Sequence, residues 1–161
     1  MSKRFFAALA LVCTMLLVSS CADKEYDLCV TLTVNCENAV NSGVLSEELS
    51  EILPADGVIF PETEVGFTDG ESVFDILSCE MKNAGIHMES SFTPLYGSAY
   101  IEGIANLYEF DCGELSGWMY CVNGVFPEYG CSSYYPEDGD TVEWVYTCDL
   151  GKDVGADTES E

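Results

Sequence analysis

Gly70-Glu71-Ser72-Val73-Phe74-Asp75-Ile76-Leu77-Ser78-Cys79-Glu80-Met81-Lys82-Asn83-Ala84-Gly85 carries both ends of a helix in its own residues. Ser72 and Asp75 have the spacing of a capping box, in which the hydroxyl accepts from the Asp75 amide and the carboxylate reaches back to the Ser72 amide. Phe74, Leu77, Met81 and Ala84 recur at i, i+3, i+7 and i+10, which predicts one apolar stripe along the helix. Gly85 is placed as its C-terminal cap, where a left-handed backbone is wanted. A single well-bounded helix with one apolar face needs a partner to cover, and the flanking sequence offers strands.

Upstream, residues 27–36 alternate, with Leu28, Val30, Leu32 and Val34 on one side and Cys29, Thr31, Thr33 and Asn35 on the other, the pattern of a half-buried strand. Residues 37–63 carry the weakest pattern and read mostly as loop, with a short helix at 45–52 and with Pro54 and Pro61 as breakers. A short strand at 64–67 and an Asp69-Gly70 turn lead into the helix. Downstream, short runs rich in Tyr, Phe, Ile and Val read as strands. Asn123-Gly124 suits the positive φ angles of a type I′ turn, so residues 118–122 and the chain from Val125 onward are expected to form a hairpin. Asp138-Gly139-Asp140 turns into a last strand at 141–147, with Val142, Trp144 and Tyr146 on one face. The order of elements predicts an α+β, β-grasp-like domain over residues 28–149: one mixed sheet covered by a single main helix, with the first and last strands as parallel neighbours. Residues 150–161 read as an acidic, disordered tail, Val154 being the only large apolar residue beyond Leu150.

The N-terminus reads as an address. Lys3 and Arg4 precede an apolar run over residues 5–18, too short to span a bilayer, and Val18-Ser19-Ser20-Cys21 has the small-small-Cys ending of a bacterial lipobox. Residues 1–20 are therefore expected to be a cleaved lipoprotein signal peptide, Cys21 to be lipidated, and residues 21–27 to be a tether. This reading puts the protein outside the cytoplasm of a bacterium, anchored to its membrane. Loss of Lys3 and Arg4 would take the formal charge from −24 to −26, leaving Lys24, Lys82 and Lys152 against 29 acidic residues. Such a chain is a poor nucleic-acid ligand, since that binding depends on Lys and Arg neutralising phosphates.

In an oxidising compartment Cys29, Cys36, Cys79, Cys112, Cys121, Cys131 and Cys148 should pair, and with seven thiols one is left over. No C-x-x-C occurs, so a structural zinc site of the usual spacing is not expected. His87 is the single histidine, so no nucleophile, base and orienter can be assembled, and the chain is not read as an enzyme. Glu137, Asp138, Asp140, Asp149 and Asp153 offer hard oxygens for calcium, but the spacing of an EF-hand loop is absent, and no metal site is assigned.

Taken in order, Gly70-Glu71-Ser72-Val73-Phe74-Asp75, Ala99-Tyr100-Ile101, Gly117-Trp118-Met119-Tyr120 with Asn123-Gly124, and Asp138-Gly139-Asp140 with Trp144 and Tyr146 resemble the transcobalamin C-terminal-like domain of bacterial surface lipoproteins, a module of unknown function. The similarity covers most of residues 28–149. It implies a β-grasp-like fold and the binding of a flat amphipathic ligand, cobalamin or another corrinoid. A transporter or a second carrier domain would then supply the other side of the site. The aromatic residues to which this points are Tyr100, Trp118, Tyr120 and Tyr134. The β-grasp expectation also pairs Cys36 with Cys148 at the ends of the parallel strands, and Cys112 with Cys131 in turns flanking Asn123-Gly124; Cys79 is a candidate for the odd thiol. The alternative function is a cell-surface protein-interaction or adhesion module, calcium-assisted, which would have its aromatic residues buried and an acidic face outward.

Overall fold

The alternation read at the start of the chain is the spine of the structure, a computed structural model that describes residues 26–94 and 97–156. The elements run β1 (Leu28–Asn35), α1 (Glu37–Asn41), α2 (Glu47–Ile52), β2 (Val58–Phe67), α3 (Val73–Ala84), β3 (Met88–Thr93), β4 (Ser98–Ile104), β5 (Leu107–Tyr108), β6 (Gly117–Val122) and β7 (Thr141–Thr147). The expected signal peptide, Cys21, residues 22–25 of the tether and residues 157–161 of the tail lie outside the described residues. No helix among the described residues is long and apolar enough to cross a membrane.

β1 and β7 are parallel neighbours, paired from Thr31 with Thr141 to Asn35 with Val145, at the centre of a four-stranded mixed sheet of order β2-β1-β7-β6. Val30, Leu32 and Val34 from β1 and Val142, Trp144 and Tyr146 from β7 turn to the same buried face, as their alternation requires. Into that core α3 places Val73, Ile76, Leu77 and Met81. The capping box forms, with Ser72 Oγ accepting from Asp75 N and Asp75 Oδ2 accepting from Ser72 N, and Gly85 caps the other end at φ 69°. The α+β class and the helix-covered mixed sheet are thus as the sequence predicts.

Several local expectations are corrected. The apolar stripe of α3 is rotated: Phe74 is half-buried and Ala84 exposed, and Val73 and Ile76 carry the contact instead. Residues 37–63 are not mostly loop. Besides α1 and α2, the strand expected at 64–67 begins at Val58 and passes through Pro61. Proline is tolerated there because β2 is a sheet edge and the register with β1 shifts between Leu32 and Val34. Asn123 and Gly124 take positive φ and close a tight turn with reciprocal Val122–Val125 backbone bonds, but no hairpin follows. Pro127, which has no N–H to donate, stands where the returning strand would continue, and β6 pairs with β7 instead. The sheet is also not single, since β3, β4 and β5 form a second, antiparallel one.

The tail does not fray at Leu150. Residues 152–154 form a short 3-10 turn, and Ala156 is buried. The Asp153 carboxylate accepts from Cys148 N at 2.7 Å and from Thr147 Oγ1, and Asn38 Nδ2 of α1 donates to Asp153 O at 3.2 Å.

All seven cysteines from Cys29 onward are free thiols. Burial pushes Cys36, Cys121 and Cys131 up to about 11 from the ordinary 9.0, so the folded chain holds these protons more tightly than the unfolded one. Their contribution to stability is complete below about pH 9 and is lost as the pH rises through the folded values. In reducing buffer the urea midpoint should therefore fall between about pH 8.5 and about pH 10.5; an unchanged midpoint would contradict the burial of these thiols. Ser72→Ala removes the N-cap acceptor and leaves the Asp75 amide unpaired, so it should cost about 1 kcal/mol in urea unfolding at neutral pH.

Candidate functional site

An open groove of about 520 Å³ runs between the start of β4 and the segment 127–130. Ser98, Ala99 and Tyr100 form one wall, and Pro127, Glu128, Tyr129 and Gly130 form the other. Tyr129 is 68% exposed and Tyr100 42%, so two aromatic rings face solvent across a shallow channel.

The β4 wall pairs with β3, whereas the 127–130 wall is held by hydrogen bonds rather than by regular pairing. Tyr120 on β6 donates its hydroxyl proton to Tyr129 O at 2.7 Å, which pins the loop from below. Ser132 Oγ accepts from Ala99 N at 2.9 Å and lies 3.0 Å from Ser98 Oγ, while Cys131 Sγ donates to Ala99 O at 3.3 Å. Gly130 is required by this closeness: a Cβ there would lie 1.9 Å from Ser98 Oγ. The Tyr100 hydroxyl donates to Glu109 Oε2 at 2.5 Å, and its pKa is raised, first by desolvation and then by that carboxylate. Tyr100 is therefore neutral, and its side chain is partly exposed.

Behind the groove lies a second, smaller cavity of about 130 Å³ lined by Ala99, Tyr100, Ile101, Trp118, Tyr120 and Trp144, together with Gly130 and Cys131. It shares Ala99, Tyr100 and Gly130 with the groove. Trp144 is almost fully buried, and its indole N–H has no hydrogen-bond partner among the described residues. A buried donor of that kind costs free energy until an acceptor, from a ligand or a water, reaches it.

The four aromatic residues singled out from sequence take different places. Tyr100 lies on the groove. Trp118, 6% exposed, donates Nε1–H to Leu107 O at 2.9 Å and meets Tyr146 edge-on, so it belongs to the core and to the inner cavity wall. Tyr120, 8% exposed, stacks on Trp144 at 5.4 Å and supports the loop from below. Tyr134 is half-buried, packs its ring edge against Tyr120 at 6.0 Å and does not line the groove. Tyr129 was missed. Its signal was available in Pro127-Glu128-Tyr129-Gly130, an aromatic residue bracketed by two breakers, where a side chain stands clear of regular structure.

The other groups with chemical character are otherwise engaged. His87 Nε2 lies 3.1 Å from both Glu89 Oε1 and Tyr108 OH on an exposed edge. Asp138 Oδ1 accepts from Cys29 N, and Asp140 accepts from Glu137 N and Asn123 Nδ2. Among the described residues no group of three or more His, Cys, Asp or Glu side chains could hold a metal ion.

Residues 70–148 match the model of a family described as a domain of unknown function, DUF4430. The fold is similar to that of haptocorrin, whose crystal structure is a complex with Cbi: TM-score 0.54 and 15% identity, over 83% of this chain and 28% of haptocorrin. The chain thus spans little more than a quarter of that protein's length. A candidate metal-binding protein from Ruminococcus gnavus ATCC 29149 aligns with TM-score 0.44 and 18% identity, over 75% of this chain and 97% of its own. No curated protein matches the sequence.

The Tyr120 hydroxyl is the tether most open to test. Tyr120→Phe keeps the ring against Trp144 and deletes the bond to Tyr129 O, so it should cost about 1 kcal/mol of stability and increase amide exchange at residues 128–130. Unchanged exchange there would show that the loop is held without it.

Proposed function

We propose that this chain is a small-ligand-binding module that takes a flat amphipathic molecule of the corrinoid class. The observation that carries the reading is the groove itself, with Tyr100 and Tyr129 presenting aromatic faces across an open channel on a hydrogen-bonded floor. Aromatic rings give a planar partner a large contact area at little entropic cost. The shared fold with haptocorrin, crystallised with Cbi, supports the choice of ligand class.

In this reading Cys21 carries a lipid that anchors the module outside the cytoplasm, and a transporter or second carrier domain closes over the open side of the groove. The module binds its cargo without transforming it. Exposure of Tyr100 and Tyr129 favours this reading over the interaction module, which would have kept its aromatic residues inside.

Titration with cobalamin and cobinamide, followed through the fluorescence of Trp118 and Trp144 with correction for ligand absorbance, tests the proposal. Saturable quenching is expected, with Tyr129→Ala weakening affinity about tenfold or more while the far-UV spectrum is unchanged. The absence of saturable quenching by either corrinoid, or binding that survives Tyr129→Ala together with Tyr100→Ala, would overturn it.

A further inference from the structure

Three cysteines that are far apart in the chain meet at one end of the central sheet. Cys36 is the residue preceding α1, Cys148 is the first residue past β7, and Cys112 sits in the turn after β5. Parallel pairing of β1 with β7 delivers the first two to the same end. The turn that holds Cys112 is folded back onto that end: Leu150 N donates to Leu115 O at 2.9 Å, and the Tyr146 hydroxyl donates to Tyr108 O at 2.6 Å and lies 3.0 Å from Ser116 Oγ. Cys112 N in turn donates to Ser116 Oγ at 3.1 Å, and Ser42 Oγ at the end of α1 lies 3.8 Å from Cys112 Sγ. Asp153, bonded to Cys148 N and to Asn38, closes the remaining side.

At this end of the sheet the Cys148 and Cys36 sulfurs each lie within electrostatic reach of Cys112. Three of the other cysteines have partners that are not thiols. Cys131 Sγ donates to Ala99 O, Cys121 Sγ donates to Glu143 Oε2 at 3.4 Å, and Cys79 Sγ accepts from Asn83 Nδ2 at 3.6 Å. Cys131, expected to pair with Cys112, donates instead to Ala99 O beside the groove, whereas Cys112 lies at the sheet end that also holds Cys36 and Cys148.

We propose that Cys112 and Cys148 form the disulfide of this domain on exposure to a small-molecule disulfide, and that Cys36 remains a buried thiol beside them. One thiolate of the pair attacks the oxidant RSSR, forms a mixed disulfide and releases RS⁻. The second then attacks the protein sulfur of that mixed disulfide and releases the other RS⁻. Two protein thiols are oxidised, one RSSR is reduced to two RSH, and the two protons lost from the cysteines end on the released thiols. Cys112 and Cys148 are both partly exposed, so the oxidant has access, whereas Cys36 is fully buried. Burial and the Cys112 sulfur push the Cys148 thiol up to about 12, which makes closure faster in alkaline buffer than at neutral pH. Desolvation, the Cys112 sulfur and the Asp153 carboxylate all raise that value.

The test is peptide mapping of the full chain after equilibration with oxidised glutathione, remaining thiols being alkylated before digestion at acidic residues. The expected product is a Cys112–Cys148 linked peptide, still formed in Cys36→Ser and absent from both Cys112→Ser and Cys148→Ser. The oxidised chain should melt about 5–10 °C above the reduced one, because the bridge closes a long loop of the unfolded chain. Cys112 linked to Cys36 or Cys131, Cys148 linked to Cys36, or both members of the pair recovered alkylated at equilibrium would overturn the proposal. Cys36→Ser keeps the question open to measurement even where either of the other variants unfolds.

Discussion

The parallel pairing of β1 with β7 is the constraint on which the rest of the molecule depends. It joins residues more than a hundred positions apart, and in doing so stacks the two cleanest alternations of the chain on one face. Once that face exists, α3 has a surface to cover and β6 has an inner strand to pair with, which sets Tyr120 opposite Trp144. The cost of closing so long a loop is offset only if the contacts it brings together are numerous and apolar. Val30, Leu32, Val34, Val142, Trp144 and Tyr146 meet that condition, since each is almost fully withdrawn from water.

The same register has a different consequence at each end of the sheet. At the end where β1 and β7 finish, chain ends and turns converge, and backbone groups that have no strand partner are satisfied by Asp153 and Ser116. Toward β6 and β4 the inward side chains are large and aromatic, and they do not fill the space completely. Trp118, Tyr120 and Trp144 leave a cavity against Ala99 and Ile101, and one indole N–H faces no acceptor among the described residues. The cavity shares Ala99, Tyr100 and Gly130 with the groove, which is why the two are best treated as one site.

How far the sequence could be read follows from which interactions are local. The capping box of α3 and the left-handed Gly85 lie within a single helix, and they form as their spacing requires. The alternation in β1 and β7 is a local record of a non-local fact, because only the buried face is encoded, and it identified those strands correctly. Pairing partners are not encoded in this way. Asn123-Gly124 made its turn, yet Pro127 prevented a ladder on the returning side, and nothing within residues 118–126 pointed to β7 as the partner of β6. Pro61 was misleading for the complementary reason: its cost depends on whether a neighbour needs its missing N–H, and at the edge of a sheet none does.

The site shows the same division more sharply. Aromatic residues on an alternating strand announce burial, so Trp118 and Tyr120 were legible as important while their exposure was not. Whether such a ring meets a ligand or the core depends on what crosses above it, here the 127–130 loop, and that loop has no periodicity to read. Its position is set by one hydroxyl, one serine and one glycine too close to Ser98 to carry a side chain. Each is an ordinary residue whose role exists only in the folded state. The floor of the groove could therefore be anticipated from the strand pattern, whereas its wall, and with it Tyr129, could be found only once the chain had been placed in three dimensions.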